Sequence, residues 1–93
     1  PGSNATQKKV YVGKGSHYYP KSNIAQFVIE AYDLNVGDTV LIQGPTTGSQ
    51  EMVVESMMVD DQVAEKATKP NIITFPTDFR VRPSDKLYKI VKA

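Results

Sequence analysis

Residues 39–49 read TVLIQGPTTGS, and this stretch decides between two classes of fold. A phosphate-binding P-loop has four residues between its glycines, followed by Lys and then Ser or Thr at the start of a helix. Here three residues separate Gly44 from Gly48, no lysine follows, and residues 50–59 have the pattern of a strand. Val40 and Ile42 lie two residues apart, as on one face of a β-strand. The stretch therefore predicts a hairpin connection and not a nucleotide site.

The segments around this hairpin also have the features of short strands. Residues 23–30 place Ala25, Phe27 and Ile29 on one face, which is the pattern of a half-buried strand. Leu34 and Val36, in the loop that follows, are predicted to plug one end of a barrel. Further strands are predicted at residues 8–13, 16–19, 50–59, 71–75 and 86–91, and a loop at residues 60–69. Six to seven strands joined by turns predict an all-β fold, a small closed antiparallel β-barrel.

Two of the predicted strands are entered in the same way. Residues 35–42 (NVGDTVLI) and 82–90 (RPSDKLYKI) each place a turn ending in Asp before an apolar strand. An Asp at such a site is expected to bond its own downstream backbone N–H and stabilise the turn.

Length and composition limit the class of protein. Ninety-three residues with 40% hydrophobic and 23% charged residues indicate one ordinary globular domain, assigned to residues 8–92. Residues 1–7 are predicted to be a disordered tail or a remnant of cloning. The absence of cysteine excludes disulfides and thiolate metal sites, and no apolar run reaches the length of a membrane span. A cytoplasmic protein without membrane association is expected.

The charges are distributed in three blocks. Residues 1–21, 22–65 and 66–93 carry net charges of +4, −8 and +5, and the middle block has no Lys or Arg. If the two ends of the chain lie side by side, Lys9 and Lys14 share a basic face with Arg80 and Arg82. Such a face suits an anionic partner such as RNA, and the alternative is a solvated surface with accidental clustering.

The chain resembles a known module along nearly its whole length, from about residue 10 to residue 91. The segments that carry the resemblance are VGKGSHYYPKSNIA, LNVGDTVLIQGPTT, VESMMVDDQVAEKA and RVRPSDKLYKIV. In this order they resemble the C-terminal domain of the collagenase-like peptidase family (peptidase family U thirty-two), which is similar to domain 2 of elongation factor Tu. The resemblance implies a six- or seven-stranded barrel with an accessory role, because the family's chemistry is attributed to a separate catalytic domain. Family members are linked to peptidase activity and to hydroxylation of tRNA and rRNA.

The chain departs from the family pattern at three places. The family usually has His where this chain has Pro45, and an acidic–aromatic pair in place of Gly48-Ser49, so a family function that uses those side chains is in question here. The family is often polar where this chain has Met58. This favours a β-bulge near Ser56, with Met57 and Val59 inward and Met58 exposed. Strict alternation would instead bury Met52, Val54 and Met58.

No catalytic constellation is found in the sequence. Ser16 and His17 are adjacent on a predicted strand, so their side chains are expected to point to opposite faces and not to form a triad. Asp60-Asp61 is expected to be a solvated loop pair and not a perturbed acid. A single histidine gives no metal-ligand spacing. The chain is therefore expected not to be an enzyme and to hold no cofactor or metal.

The candidate binding residues are aromatic or basic, together with two threonines at which the chain matches the family. Tyrosine rings stack on bases, and lysine and arginine bind phosphates. Two interpretations stay open: a barrel that helps a larger protein bind tRNA or rRNA, and a module that docks on the catalytic domain of its parent protein or on another subunit. A purely structural role for these residues is the third. The residues in question are His17, Tyr18, Lys21, Thr46, Thr47, Arg80 and Arg82.

Overall fold

The structure, a computed structural model, describes residues 6–93. These residues form ten β-strands, of which six have five or more residues and four have only two. The all-β class is confirmed, and the six longer strands agree with the expected number. The strands are β1 (Gln7–Tyr19), β2 (Ile24–Ile29), β3 (Leu34–Asn35), β4 (Thr39–Gly44), β5 (Gly48–Val53), β6 (Met58–Val59), β7 (Gln62–Val63), β8 (Lys66–Ala67), β9 (Ile72–Pro76) and β10 (Lys86–Lys92).

The long first strand organises the main sheet. Its first half pairs antiparallel with β10, and its second half pairs antiparallel with β2. The register shifts between Tyr11 and Gly13 and again between Gly15 and His17, so β1 carries two irregularities that bend the sheet. A Cβ on Gly13 would overlap the backbone carbonyl of Val28, so only glycine permits this approach of β1 to β2. Two strands predicted at residues 8–13 and 16–19 are thus one bent strand.

The inward faces of the strands form one hydrophobic core. Ala25, Phe27 and Ile29 are buried as the alternation of β2 predicts, and so are Val40 and Ile42 of β4. The rings of Phe27 and Phe75 are stacked, with centroids 5.0 Å apart. Burial of one such side chain contributes about 2–3 kcal/mol to folding. Leu34 is fully buried and Val36 packs against the core, as expected of residues that close one end.

The predicted closure of the barrel is not confirmed. The main sheet has eight strands in the order β5-β4-β10-β1-β2-β9-β6-β7, so β5 and β7 are its two edges. A separate pair, β3–β8, is extended by the bond from Val36 N to Glu65 O, and it is linked to the end of β5 because Gly37 N donates to Val54 O. Among the described residues the strand ladder therefore remains open between its two edges.

Three local predictions need correction. The single strand expected at residues 50–59 is interrupted, because residues 54–57 lie outside any strand. Met57 is buried and Met58 is 38% exposed. The burial of Met57 and the exposure of Met58 that a β-bulge near Ser56 predicts are therefore confirmed. The loop expected at residues 60–69 contains the short strands β7 and β8. Residues 1–5 of the expected tail lie outside the described residues, whereas Gln7 already belongs to β1.

The two turns that end in Asp have the same geometry. Asp38 N donates to Asn35 O and Asp85 N donates to Arg82 O, each over 3.0 Å. The side chain accepts from the first residue of each turn: Asn35 N lies 2.8 Å from Asp38 Oδ2, and Arg82 N lies 2.9 Å from Asp85 Oδ2. The carboxylate thus bonds the upstream N–H and not the downstream one that the sequence suggested.

No helix in the described part of the chain is long and apolar enough to span a membrane.

Candidate functional site

The pairing of the two terminal strands brings the basic ends of the chain together. The register of β1 and β10 runs from Gln7 opposite Lys92 to Lys14 opposite Lys86. Arg82 lies at the same end of this pair, because Gly15 O accepts from Ser84 N over 2.8 Å and Gly15 N donates to Asp85 O over 2.7 Å. The expectation that the two ends share one sheet is confirmed.

The outer side of this strand pair carries alternating lysines and tyrosines, which we call the Lys–Tyr face (Lys9, Tyr11, Lys14, Lys86 and Tyr88). Directly opposite residues in an antiparallel pair share a face. The rings of Tyr11 and Tyr88 are opposite each other and meet edge to face, with centroids 5.9 Å apart. Lys9 Nζ lies 4.4 Å from the Tyr88 ring centroid and donates to Gln43 Oε1 over 2.7 Å. Two aromatic rings and a held cation thus form one exposed surface.

Two lysines face each other on this surface without a strong counter-charge. Lys14 and Lys86 are directly opposite across β1 and β10, an arrangement of like charges that costs about 0.5 kcal/mol in a sheet. Glu30 partly compensates, since its Oε2 lies 3.8 Å from Lys14 Nζ, but both side chains are largely exposed. Within residues 6–93 no carboxylate pairs with Lys86. The arrangement favours a negatively charged group between the two lysines.

Tyr11 is fixed as a neutral hydrogen-bond donor at the edge of the Lys–Tyr face. Its hydroxyl donates to Glu30 Oε1 over 2.5 Å. Burial raises the pKa of Tyr11 to about 12, and the hydrogen bond to Glu30 and the negative charge of that carboxylate act in the same direction. This phenol therefore orients Glu30, which in turn lies beside Lys14.

The second half of β1 holds the predicted aromatic residues. The His17 and Tyr19 rings meet edge to face at 4.4 Å, and Tyr18 packs against the core while its hydroxyl donates to Asn23 Oδ1. The guanidinium carbon of Arg80 lies 5.9 Å from the Tyr18 ring centroid, near the outer limit of a cation–π contact. The structure thus brings Arg80 to Tyr18, which lies on the face of β1 opposite the His17–Tyr19 pair. Lys21 lies exposed in the turn after β1 and makes no contact with this group.

The two predicted threonines lie in the β4–β5 turn. Thr46 is exposed, and Thr47 donates its hydroxyl to Asp85 Oδ2, the same oxygen that accepts from Arg82 N. Asp85 therefore ties this turn to the turn before β10. Between the two turns an open depression of about 430 Å³ is bordered by Gln43, Ser49, Ser84, Lys86 and Tyr88.

The serine, histidine and aspartates considered for catalysis do not meet. Ser16 Oγ bonds to the side chain and the carbonyl of Gln26, while His17 faces Tyr19. Asp60 and Asp61 are exposed and both have positive φ angles, 51° and 65°, which places them in a tight hairpin turn between β6 and β7. Within the described residues no group of three or more His, Cys, Asp or Glu side chains could hold a metal ion.

Relatives with known names match almost the whole chain. It is 47% identical over 91 residues to a collagenase of Porphyromonas gingivalis, and this match covers 98% of the chain but 22% of that protein. It is 33% identical over 87 residues to an uncharacterized protease of Methanocaldococcus jannaschii, covering 94% of the chain and 21% of that protein. The chain therefore spans only about a fifth of the length of these relatives. No protein-family model matches it.

Solved structures locate the matching region within such proteins. Two crystal structures of the C-terminal domain of a putative U32 peptidase from Geobacillus thermoleovorans match with a TM-score of 0.78. They are 22% and 23% identical and cover 84% and 85% of this chain and 96% and 90% of those domains. This chain is a relative of the C-terminal domain of U32 collagenase-like peptidases. The resemblance to this family's C-terminal domain inferred from the sequence is confirmed, and the solved domains share the fold of this U32-related domain. The similarity to domain 2 of elongation factor Tu stays a prediction.

Several residues of the Lys–Tyr face were missed at the sequence level. Lys9 and Lys14 entered only as charges, and Tyr11, Lys86 and Tyr88 were not identified as site residues. The signal was present as a Lys-x-Tyr pattern that occurs twice, at residues 9–11 and 86–88, because residues two apart on a strand share a face. What the sequence of the U32-related domain could not supply was the register that sets the two patterns opposite each other.

Proposed function

We propose that this domain is a non-catalytic accessory part of a larger U32-type protein and that it binds RNA, tRNA or rRNA, through the Lys–Tyr face. Phosphates of the RNA occupy the space between Lys14 and Lys86, and an unstacked base lies on the half-exposed ring of Tyr88. The single observation that supports this proposal best is the placement of Lys14 opposite Lys86 beside the Tyr11–Tyr88 pair.

The physical argument combines charge and stacking. An anion between two facing lysines relieves their repulsion, so the sheet gains stability when RNA binds. Aromatic rings next to lysines are the usual surface for single-stranded nucleic acid, where stacking of one base contributes about 1–3 kcal/mol. The open depression beside Lys86 and Tyr88 gives an unpaired base room to approach. Arg82, whose backbone lies next to Gly15 of β1, adds a cation beyond Lys14.

The names of the relatives support the accessory part of the proposal. They describe a collagenase and an uncharacterized protease in which this region forms about a fifth of the length, so the larger remainder has room for a separate catalytic domain. The positions where this chain has Pro45 and Gly48-Ser49 border the depression. We infer that in this chain binding there depends on the backbone shape and on Lys86 and Tyr88, and not on the side chains that the family usually has.

The test is a titration of the domain with tRNA and with a single-stranded oligonucleotide at several salt concentrations. Three to five phosphate contacts predict that log affinity falls with log salt with a slope of about 2–4 in magnitude. The double variant Lys14→Gln/Lys86→Gln should reduce this slope by about 2, because each lysine that contacts a phosphate contributes about 1.

A matched control has the same change of charge elsewhere. Lys66→Gln/Lys69→Gln removes two exposed lysines, one of which pairs with Asp33 at 3.2 Å, and should leave affinity within about twofold. Tyr88→Leu should weaken the single-stranded oligonucleotide more than duplex RNA, since only unpaired bases stack on the ring. An equal loss of RNA affinity in the two double lysine variants would reject the proposal. Binding that does not respond to salt would also reject it.

A further inference from the structure

A groove lies beside the edge strand β5, at the place where the sheet stays open. Five residues line this seam groove: Met52, Val53, Glu55, Pro76 and Asp78. Its volume is about 390 Å³, and it lies between the edge strand β5 and the end of β9. Val53 is 47% exposed there, which is unusual for a β-branched apolar residue beside a core. The groove thus combines an apolar floor with two carboxylates.

The backbone along the groove has unused hydrogen-bonding groups. β5 is an edge strand of six residues, GSQEMV, that carries one charge, no lysine and no proline, so it lacks the features that usually protect an edge. β5 is followed by the buried Val54, whose N–H and carbonyl bond Asp38 and Gly37. Glu55 and Ser56, the two residues after it, are exposed, and in the described part of the chain their backbone groups form no hydrogen bond. An extended segment added along residues 48–56 would pair with these groups.

The charge of the groove determines what kind of segment fits. Glu55 and Asp78 line the groove, and Glu51 lies on β5, the strand that borders it. The whole stretch from residue 22 to residue 65 contains eight acidic residues and no Lys or Arg. An RNA strand is repelled by such a surface, whereas a polypeptide with Lys or Arg beside apolar side chains complements it.

We propose that the seam groove binds an extended, basic and apolar segment of the larger protein that carries this domain, as an additional strand next to β5. Three quarters or more of the length of the named relatives lies outside the matched region, so such proteins have ample chain to supply the segment. Apolar side chains of the segment contact Met52, Val53 and Pro76, and its cationic side chains pair with Glu55 and Asp78. None of the five residues that line the seam groove belongs to the Lys–Tyr face.

The first experiment uses a synthetic peptide as the probe. Acetylated and amidated KVKVKVKV is titrated into the ¹⁵N-labelled domain, and amide shift changes are mapped by NMR. We expect the changes at residues 48–56 and at residues 77 and 78, next to Pro76. A peptide methylated on alternate backbone nitrogens keeps charge and apolar surface but loses donors, and should bind at least about fivefold more weakly because strand pairing needs those N–H groups. The acidic peptide EVEVEVEV should not bind.

Two variants separate the groove from general charge attraction. Val53→Lys places a positive charge, the same sign as the peptide's lysines, in the groove. It should reduce the affinity for KVKVKVKV at least about fivefold. Tyr32→Lys is the matched control at another exposed apolar residue, 62% exposed, and should stay within about twofold. If Val53→Lys fails to fold, Glu55→Lys serves instead, because Glu55 makes no side-chain hydrogen bond or ion pair among the described residues.

The source of the segment is tested in a full-length protein. This chain replaces the matched 91 residues of the Porphyromonas gingivalis collagenase, with the photoreactive benzoylphenylalanine at position 53 or, as a control, at position 32. Cross-links from position 53 to sequence outside the domain of the same molecule are expected, with few from position 32. Cross-links mainly between two copies, equal yields at both positions, no peptide binding at millimolar concentration, or shift changes spread over distant acids such as Asp33 and Asp61 would each overturn the proposal.

Discussion

The turns at residues 35–38 and 82–85 have the same hydrogen bonds but different surroundings. Asp38 is half-buried, and its Oδ2 lies 3.8 Å from Lys89 Nζ. Asp85 is 1% exposed and receives a second donor, the Thr47 hydroxyl. The Asp38 side chain thus adds an ion pair near the surface, whereas the Asp85 side chain accepts two hydrogen bonds inside the fold and connects its turn to the β4–β5 turn.

The difference shows that a local sequence pattern determines a turn, while its contribution to stability depends on what packs around it. The four-residue geometry follows from an Asp at the last position in both cases. Only the second turn holds β1, β10 and the β4–β5 turn together, since Asp85 O also accepts from Gly15 N. This turn lies next to the Lys–Tyr face, and its stability should therefore set the geometry of that face.

The largest effect expected from this comparison is that of removing the buried carboxylate. Asp85→Ala leaves Arg82 N–H and the Thr47 hydroxyl without their acceptor, and should lower the free energy of unfolding by about 3 kcal/mol. Asp38→Ala, the matched change in the turn at residues 35–38, should lower the free energy of unfolding by about 1 kcal/mol. Urea unfolding of both variants measures the difference. Similar losses for the two variants would mean that the surroundings of the turns do not matter.

A smaller effect is expected from crowding the Asp85 carboxylate. A Cβ on Gly44 would overlap Asp85 Oδ1, so Gly44→Ala must displace the carboxylate and should destabilise the fold by about 2 kcal/mol. Thr46→Ala, in the same turn but exposed, should change stability by less than about 0.5 kcal/mol. Thermal unfolding measures both changes. Addition of Gly44→Ala to Asp85→Ala should then cost little, because the group that it displaces is already gone.

The smallest expected effect concerns the third residue of each turn. Gly37 has a φ of 97°, and Ser84, at the same position of the second turn, has a φ of 73°, which is unfavourable for a residue with a side chain. Ser84→Gly relieves this conformation and should raise stability by about 0.5 kcal/mol. Ser49→Gly, within β5, is the control and should instead lower stability by a similar amount. A loss of stability in Ser84→Gly would show that the Ser84 side chain stabilises the turn by more than its backbone conformation costs.

The sequence predicted well those features that depend on neighbouring residues. The alternation of Ala25, Phe27 and Ile29, the inward face of β4 and the two Asp turns follow from spacings of two to four residues. The break after β5 and the strands β7 and β8 were missed, because two-residue strands are created by their partners and leave no periodicity of their own.

The site was predictable only in part, for the same reason. His17, Tyr18 and Arg80 were identified from their types, and the structure brings Tyr18 and Arg80 together. The pairing of Lys14 with Lys86 depends on the register shift between Tyr11 and Gly13 in the β1–β10 pairing, which no local pattern encodes. The binding roles of these residues, including Lys21, Thr46, Thr47 and Arg82, stay predictions.

The pairing of the terminal strands also determines how the domain can be circularly permuted. Ala93 N donates to Thr6 O over 2.5 Å, so the two ends of the described chain are neighbours in space. A short glycine linker would therefore join them without strain, and new termini could be opened at the tight Asp60-Asp61 hairpin. Circular permutation would leave the residues of the Lys–Tyr face in place and move the chain ends to the hairpin between β6 and β7. The permuted domain could then be inserted into a surface loop of another protein.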